Sequence, residues 1–158
     1  MLSEKVNKYC GNCGSSKRPV IANIAKKNIP NILQLKYELE DHEIEAYNDI
    51  ASAGAKLRLI PKSNKGLSTN DFIFSGKQWE MKNNNTKYKT IRNSIKKSIV
   101  SAKNHNVVKE NFIEYMGNHK LSDKLKDQLG LYNFRNPNYK IKNLLIFSKR
   151  KFIKIKLK

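Results

Sequence analysis

Acidic residues are what this sequence most lacks: 13 Asp and Glu stand against 32 Lys and Arg, a formal charge of +19. The sequence pI is near 10.0. Cysteine is nearly absent, with only Cys10 and Cys13, too few for a disulfide scaffold. Long apolar runs are missing too; none approaches the ~18 residues that a membrane span requires. Met1 to Lys8 is polar and no apolar segment follows it, so no signal peptide is expected. His42, His105 and His119 show no metal or triad spacing, and no Ser/His/Asp or Cys/His order suggests nucleophilic catalysis. There is no internal repeat and no heptad pattern.

What is there suffices for a folded protein. Of 158 residues, 39% are apolar and 9% aromatic, enough for a core, which excludes wholesale disorder. The length suits one domain of ordinary size, or one domain with a short arm. A charge this large predicts a polyanionic partner, nucleic acid or an acidic protein.

The few acids are unevenly placed. Six of the 13 fall between Glu38 and Asp49, whereas Ile50 to Lys109 holds 13 Lys or Arg and only Asp71 and Glu80. From Gln128 onward there is no acid at all. A phosphate-binding surface gains nothing from two lone carboxylates unless they hold a metal or move a proton.

Residues 1–36 read as an arm or linker, broken by Cys10-Gly11-Asn12-Cys13-Gly14, Pro19 and Pro30, with one short helix around 20–27. Residues 37–158 read as the main domain. Glu38 to Gly54 is expected to be helical, with Asp41 as N-cap and Gly54 just past the end. On that helix Glu43, Ala46, Tyr47, Ile50 and Ala51 share a face, with Glu45 and Asp49 elsewhere. Ala55 to Leu59 alternates as a strand. Asp71 to Lys82 is the clearest hairpin, and a Gly76-Lys77 loop suits a type II′ turn. Any two-residue loop sets the faces by parity. Phe72, Phe74, Trp79 and Met81 then lie on one side; Asp71, Ile73, Gln78, Glu80 and Lys82 lie on the other.

Ile91, Ile95, Ile99 and Ala102 recur at helical spacing, predicting a helix over 90–103. Residues 107–113 read as a strand or a second helix, strand preferred. Ser122 caps a short helix ending at Gly130, and Leu144–Phe147 with Phe152–Leu157 form a terminal hairpin. The order α-β-β-β-α-β-α-β-β makes an α/β fold, a mixed sheet with helices packed on it.

Asp71 and Glu80-Met81-Lys82, with Glu43 on the preceding helix, form a chemical set. Carboxylates on adjacent strands suit Mg²⁺ or Mn²⁺, which take hard oxygen ligands and keep several waters. Lys82, two residues past Glu80, faces the same way and can hold water or neutralise phosphate. The basic helix that follows supplies candidate phosphate contacts in Lys87, Lys89, Arg92 and Lys96, its first turn favoured by the helix dipole. Each has a plainer explanation. Asp71 and Glu80 could be a strand opener and a cross-hairpin partner of Lys82; Glu43 could serve the helix dipole, with Glu45 as its replacement. The lysines could be a solvated face. Cys10 and Cys13 are half a zinc site without a second half.

These residues resemble the PD-(D/E)xK phosphodiesterase superfamily, whose core runs α-β-β-β-α-β with a helix acid, an Asp opening one strand and (D/E)xK on the next. Asn70-Asp71 stands where that family often has Pro-Asp. The eleven residues from Glu43 to Gly54 resemble the interval in archaeal Holliday-junction resolvases. Residues 41–158 also resemble the C-terminal tRNA nuclease domains of contact-dependent growth inhibition (CdiA) toxins. In these a C-terminal helix and β-hairpin follow that core, as Leu144–Phe147 and Phe152–Ile155 do here. The family's Val-Glu-Asn-Asn linker motif does not occur. The resemblance implies a metal-dependent RNase cutting tRNA, delivered into the target-cell cytoplasm and blocked by a cognate, here acidic, immunity protein. It implies Glu43, Asp71, Glu80 and Lys82 as catalytic residues, with Asp71 and Glu80 on the metal. A DNA-cutting nuclease of the same superfamily and a non-catalytic nucleic-acid-binding protein remain the alternatives.

Overall fold

A computed structural model describes residues 39–63, 65, 68–83 and 86–158. The expected arm, its short helix and the Cys10/Cys13 turn lie outside the described residues. The described chain is a mixed α/β structure: one six-stranded sheet with helices on both faces. In chain order the elements are α1 (Asp41–Ser52), β1 (Arg58–Leu59), β2 (Phe72–Phe74), β3 (Lys77–Asn83), α2 (Tyr88–Lys103) and β4 (Asn111–Gly117). Then follow α3 (Asp123–Gly130), α4 (Tyr132–Arg135), a 3₁₀ turn (Pro137–Tyr139), β5 (Asn143–Ser148) and β6 (Lys151–Ile155). The element order is the one expected, with α4 and the 3₁₀ turn added. Among the described residues, no helix is long and apolar enough to cross a membrane.

The strands lie side by side in sequence order. β1–β2, β2–β3 and β5–β6 are antiparallel, the last two joined by two-residue turns; β3–β4 and β4–β5 are parallel and need crossovers. α2 makes the first crossover and α3–α4 the second, as parallel neighbours require.

Strand alternation sorts the core. On one face Phe72, Trp79, Met81, Ile113, Tyr115 and Phe147 pack under Ala46 and Ile50 of α1. On the other, Phe112, Met116, Leu144, Ile146 and Ile155 meet Ile91, Ile95 and Ile99 of α2 and Leu125 and Leu129 of α3. The α2 stripe recurs every four residues and faces inward, as its spacing predicts. Ser122 caps α3 as expected, its Oγ accepting from the Leu125 N–H (3.2 Å).

Three local expectations are corrected. The N-cap of α1 is Glu40, not Asp41, because the Glu40 N–H donates to Glu43 Oε2 (2.9 Å), one half of a capping-box exchange. Gly54 does follow the helix, at φ 94°. Ala51 is exposed, while Asp49 accepts from the Tyr115 hydroxyl (2.5 Å). The Tyr115 side chain therefore draws the Asp49 flank of α1 towards the sheet. Finally, β1 spans only two residues, pairing Arg58 with Ile73 and Leu59 with Phe72.

The central hairpin turns one residue earlier than a Gly76-Lys77 loop would place it. Phe74 pairs with Lys77, so the loop is Ser75-Gly76, with φ 48° and 71°. Two positive φ values suit a type I′ turn, whose twist matches that of the strands. The parity is unchanged, so the expected faces hold. Gly76→Val is expected to cost about 1–2 kcal/mol, because a β-branched residue is strained at positive φ. Urea denaturation measures this. A loss no larger than that of Lys77→Val would show that the turn tolerates a side chain.

Candidate active site

The hairpin register carries the site. With Phe72 opposite Trp79, the next rung sets Asp71 against Glu80; the Asp71 N–H donates to the Trp79 carbonyl (2.9 Å). Asp71 Oδ2 accepts from the Met81 N–H (2.6 Å), so the carboxylate is held across the mouth of the hairpin by backbone. Glu80 and Lys82 lie in register with Phe112 and Glu114 of β4, on the face covered by α2. Trp79 and Met81 alternate to the α1 face.

Glu80 is 4% exposed, and its carboxylate is occupied on both oxygens. Lys82 Nζ and Ser98 Oγ donate to Oε1 at 2.5 and 3.1 Å, and Lys109 Nζ donates to Oε2 at 2.5 Å. Lys109 is itself 6% exposed at its side chain, against 23% for Lys82. Three elements thus converge on one carboxylate: β3, α2 and the segment entering β4. An isolated ion at such depth would cost several kcal/mol, and paired charge-assisted hydrogen bonds offset that.

Asp71 behaves differently. Burial, and next the Glu80 charge, push its pKa up to about 7, against the opposing pull of the Met81 N–H, Lys82 and Lys109. Burial beside Glu80, and not a lack of cations, thus holds Asp71 partly protonated near neutral pH, since Lys82 and Lys109 already face the pair. The two carboxylates are the oxygen donors that a hard divalent cation takes, and at Glu80 such a cation would displace a lysine ammonium group. Mg²⁺ commonly takes one or two carboxylates, filling its remaining positions with water and phosphate oxygen.

Glu43 does not join them. It serves the α1 N-terminus and accepts from Lys62 Nζ (3.4 Å), on a helix packed against the opposite sheet face. Among the described residues, no three His, Cys, Asp or Glu side chains gather closely enough to share a metal ion. Gln78 is tied instead to Asn70, whose Nδ2 donates to Gln78 Oε1 (2.9 Å).

The basic residues of α2 divide by helical angle. Lys89, Arg92 and Lys96 share one flank. Lys96 Nζ lies 4.5 Å from the Tyr139 ring centroid, and the Arg92 guanidinium donates to Asn93 Oδ1 at 3.0 and 3.2 Å. Lys87 stands exposed at the N-cap. The flank beside Lys82 carries Thr90, Asn93, Ser94 and Lys97 instead.

Sequence reasoning missed Lys109, Ser98 and Glu114. Glu114 is fully buried in register with Lys82; an acid inside the apolar run Phe112–Met116 was its available signal. Lys109 and Ser98 carried none, because their role depends on α2 and the β4 approach meeting β3. Comparison with protein-family models, curated proteins and solved structures returned no match, so function is argued from the site.

Two predictions concern this network. Lys109→Met, which leaves Glu80 short of a partner, is expected to cost about 3 kcal/mol, and the more exposed Lys82→Met under about 1 kcal/mol. Equal costs in urea denaturation would refute the asymmetry. The Asp71 pKa, raised above its unfolded value, contributes stability that is full below pH ~4 and lost as pH rises to about 7. Asp71→Asn should flatten the thermal midpoint across that window. An unchanged slope would place the titration on another group.

Proposed function

We propose that this protein is a metal-dependent endonuclease of the PD-(D/E)xK kind, hydrolysing RNA phosphodiester bonds, with tRNA as substrate. The observation that carries the reading is the gathering of Asp71, Glu80 and Lys82 across β2 and β3 in a buried, cation-rich setting. That is a residue set suited to metal-assisted phosphodiester hydrolysis: oxygen ligands beside a lysine, on a protein of charge +19. The resemblance to toxin-type tRNA nucleases supplies the substrate class, the delivery into a target cell and the acidic immunity protein. A basic face of this kind favours fast association with such an inhibitor.

Asp71 and Glu80 would hold Mg²⁺ or Mn²⁺, which when bound lowers the pKa of a water and stabilises charge on phosphate. Lys82, the less buried of the two lysines on Glu80, orients the attacking water or neutralises the phosphate oxygen. Lys109 pairs with Glu80 and holds it in place, and Ser98 sets the rotation of the same carboxylate from α2. Preorganised charge of this kind acts more strongly where, as at Glu80 and Lys109, the groups are buried.

The saturation of Glu80 by Lys82, Lys109 and Ser98 favours one second reading, a non-catalytic nucleic-acid-binding protein whose ion network is structural. Purified protein is incubated with total tRNA, linear DNA and supercoiled DNA, each with Mg²⁺, Mn²⁺ or EDTA. Metal-dependent cleavage of tRNA alone, reduced at least a hundredfold in Asp71→Asn and Lys82→Ala, is expected. Cleavage of DNA instead would keep the site and replace the substrate. Salt-sensitive binding of every substrate with cleavage of none would favour the second reading.

A further inference from the structure

Beside Lys82 the surface opens into a cavity of about 450 Å³, lined by Lys82, Thr90, Asn93, Ser94, Lys97 and Ser98. Its walls are the C-terminal half of β3 and one flank of α2. The lining holds three hydroxyls, one amide and two ammonium groups, and no carboxylate. Lys97 forms no ion pair among the described residues and is exposed. Asn93 has its carbonyl oxygen engaged by Arg92, which leaves its amide N–H₂ as a donor. Donors therefore outnumber acceptors, and a ligand that fits is an anion rich in acceptor oxygens.

Two lining residues connect the cavity to the acid pair. Ser98 and Lys82 both donate to Glu80 Oε1, so the cavity begins where the carboxylate site ends. We infer that this cavity binds a backbone phosphate of the nucleic-acid substrate, flanking the bond to be cut, with Lys97 as its principal cation. The inference rests on the nuclease reading for the words "to be cut", while the phosphate contact stands on the cavity itself. It replaces Lys89, Arg92 and Lys96 as the α2 contact, because those occupy the other flank and Lys96 is placed over Tyr139.

The test measures binding of fluorescein-labelled 12-nucleotide RNA and DNA of one sequence by anisotropy, in EDTA, across 50–300 mM salt. The full chain is compared with Lys97→Gln, Ser94→Ala and Lys96→Gln. Lys97→Gln is expected to weaken binding about 3- to 10-fold on both strands and to reduce the salt slope by about 0.7, one phosphate contact on a single strand. Ser94→Ala should weaken it about 2- to 5-fold, and Lys96→Gln less than 2-fold. Equal losses for Lys96→Gln and Lys97→Gln would overturn the inference in favour of diffuse charge. A loss confined to RNA would overturn it in favour of a ribose contact. The cleavage assay separates the two levels. Cleavage with Lys97-independent binding discards the phosphate site alone, whereas Lys97-dependent binding without cleavage keeps that site and discards the chemistry.

Discussion

A carboxylate at the centre of a sheet has to be satisfied, and much of this architecture follows from how Glu80 is. Buried beneath α2, it is reached by Lys82 from its own strand, Ser98 from the helix and Lys109 from the approach to β4. The Ser98 bond adds to the Ile91–Ile95–Ile99 stripe in setting the rotation of α2 over β3, since a helix turned by one residue would lose it. Apolar residues of similar volume would serve stability as well or better. The buried ionic group at this position is therefore not accounted for by stability alone, which is what the proposed nuclease reading draws on.

The hairpin supplies the second half of that constraint. Its two-residue turn places Asp71 and Glu80 on one face and Phe72, Trp79 and Met81 on the other. The aromatic face anchors under α1, so the acid face cannot rotate away. Like charges are thereby held together at the mouth of the hairpin, where Asp71 is pushed towards protonation by burial and by Glu80. The same rigidity leaves the α2 flank with Thr90, Ser94 and Lys97 aligned along the edge of the site. Site and cavity share Lys82, so a phosphate chain lying along α2 would meet fixed donors before it reached the acids.

Legibility followed the strength of the periodic signal. The α2 stripe, the Ser122 cap and both hairpins could be read because each is written locally, in spacing or in one side chain reaching three residues on. The parity argument survived a misplaced turn, since Ser75-Gly76 and Gly76-Lys77 are both two-residue loops. β4 was harder. Phe112 to Met116 is buried on both faces between parallel neighbours, which erases alternation and concealed both the strand's extent and Glu114. The basic helix misled in another way: Lys89, Arg92, Lys96 and Lys97 look alike in a chain so rich in cations, and only the helical angle relative to Lys82 separates them.

By itself the sequence determined most of the element order, the two hairpins and the gathering of Asp71, Glu80 and Lys82 on one face of the central hairpin, because residue alternation and turn length are local properties. Tertiary structure alone decided that Lys109 and Ser98 complete the Glu80 site, that Glu43 stays with its own helix, and that Lys97 stands beside Lys82. Those outcomes depend on where distant segments pack, and burial, which selects among ionisable partners, exists only once the chain has closed around them.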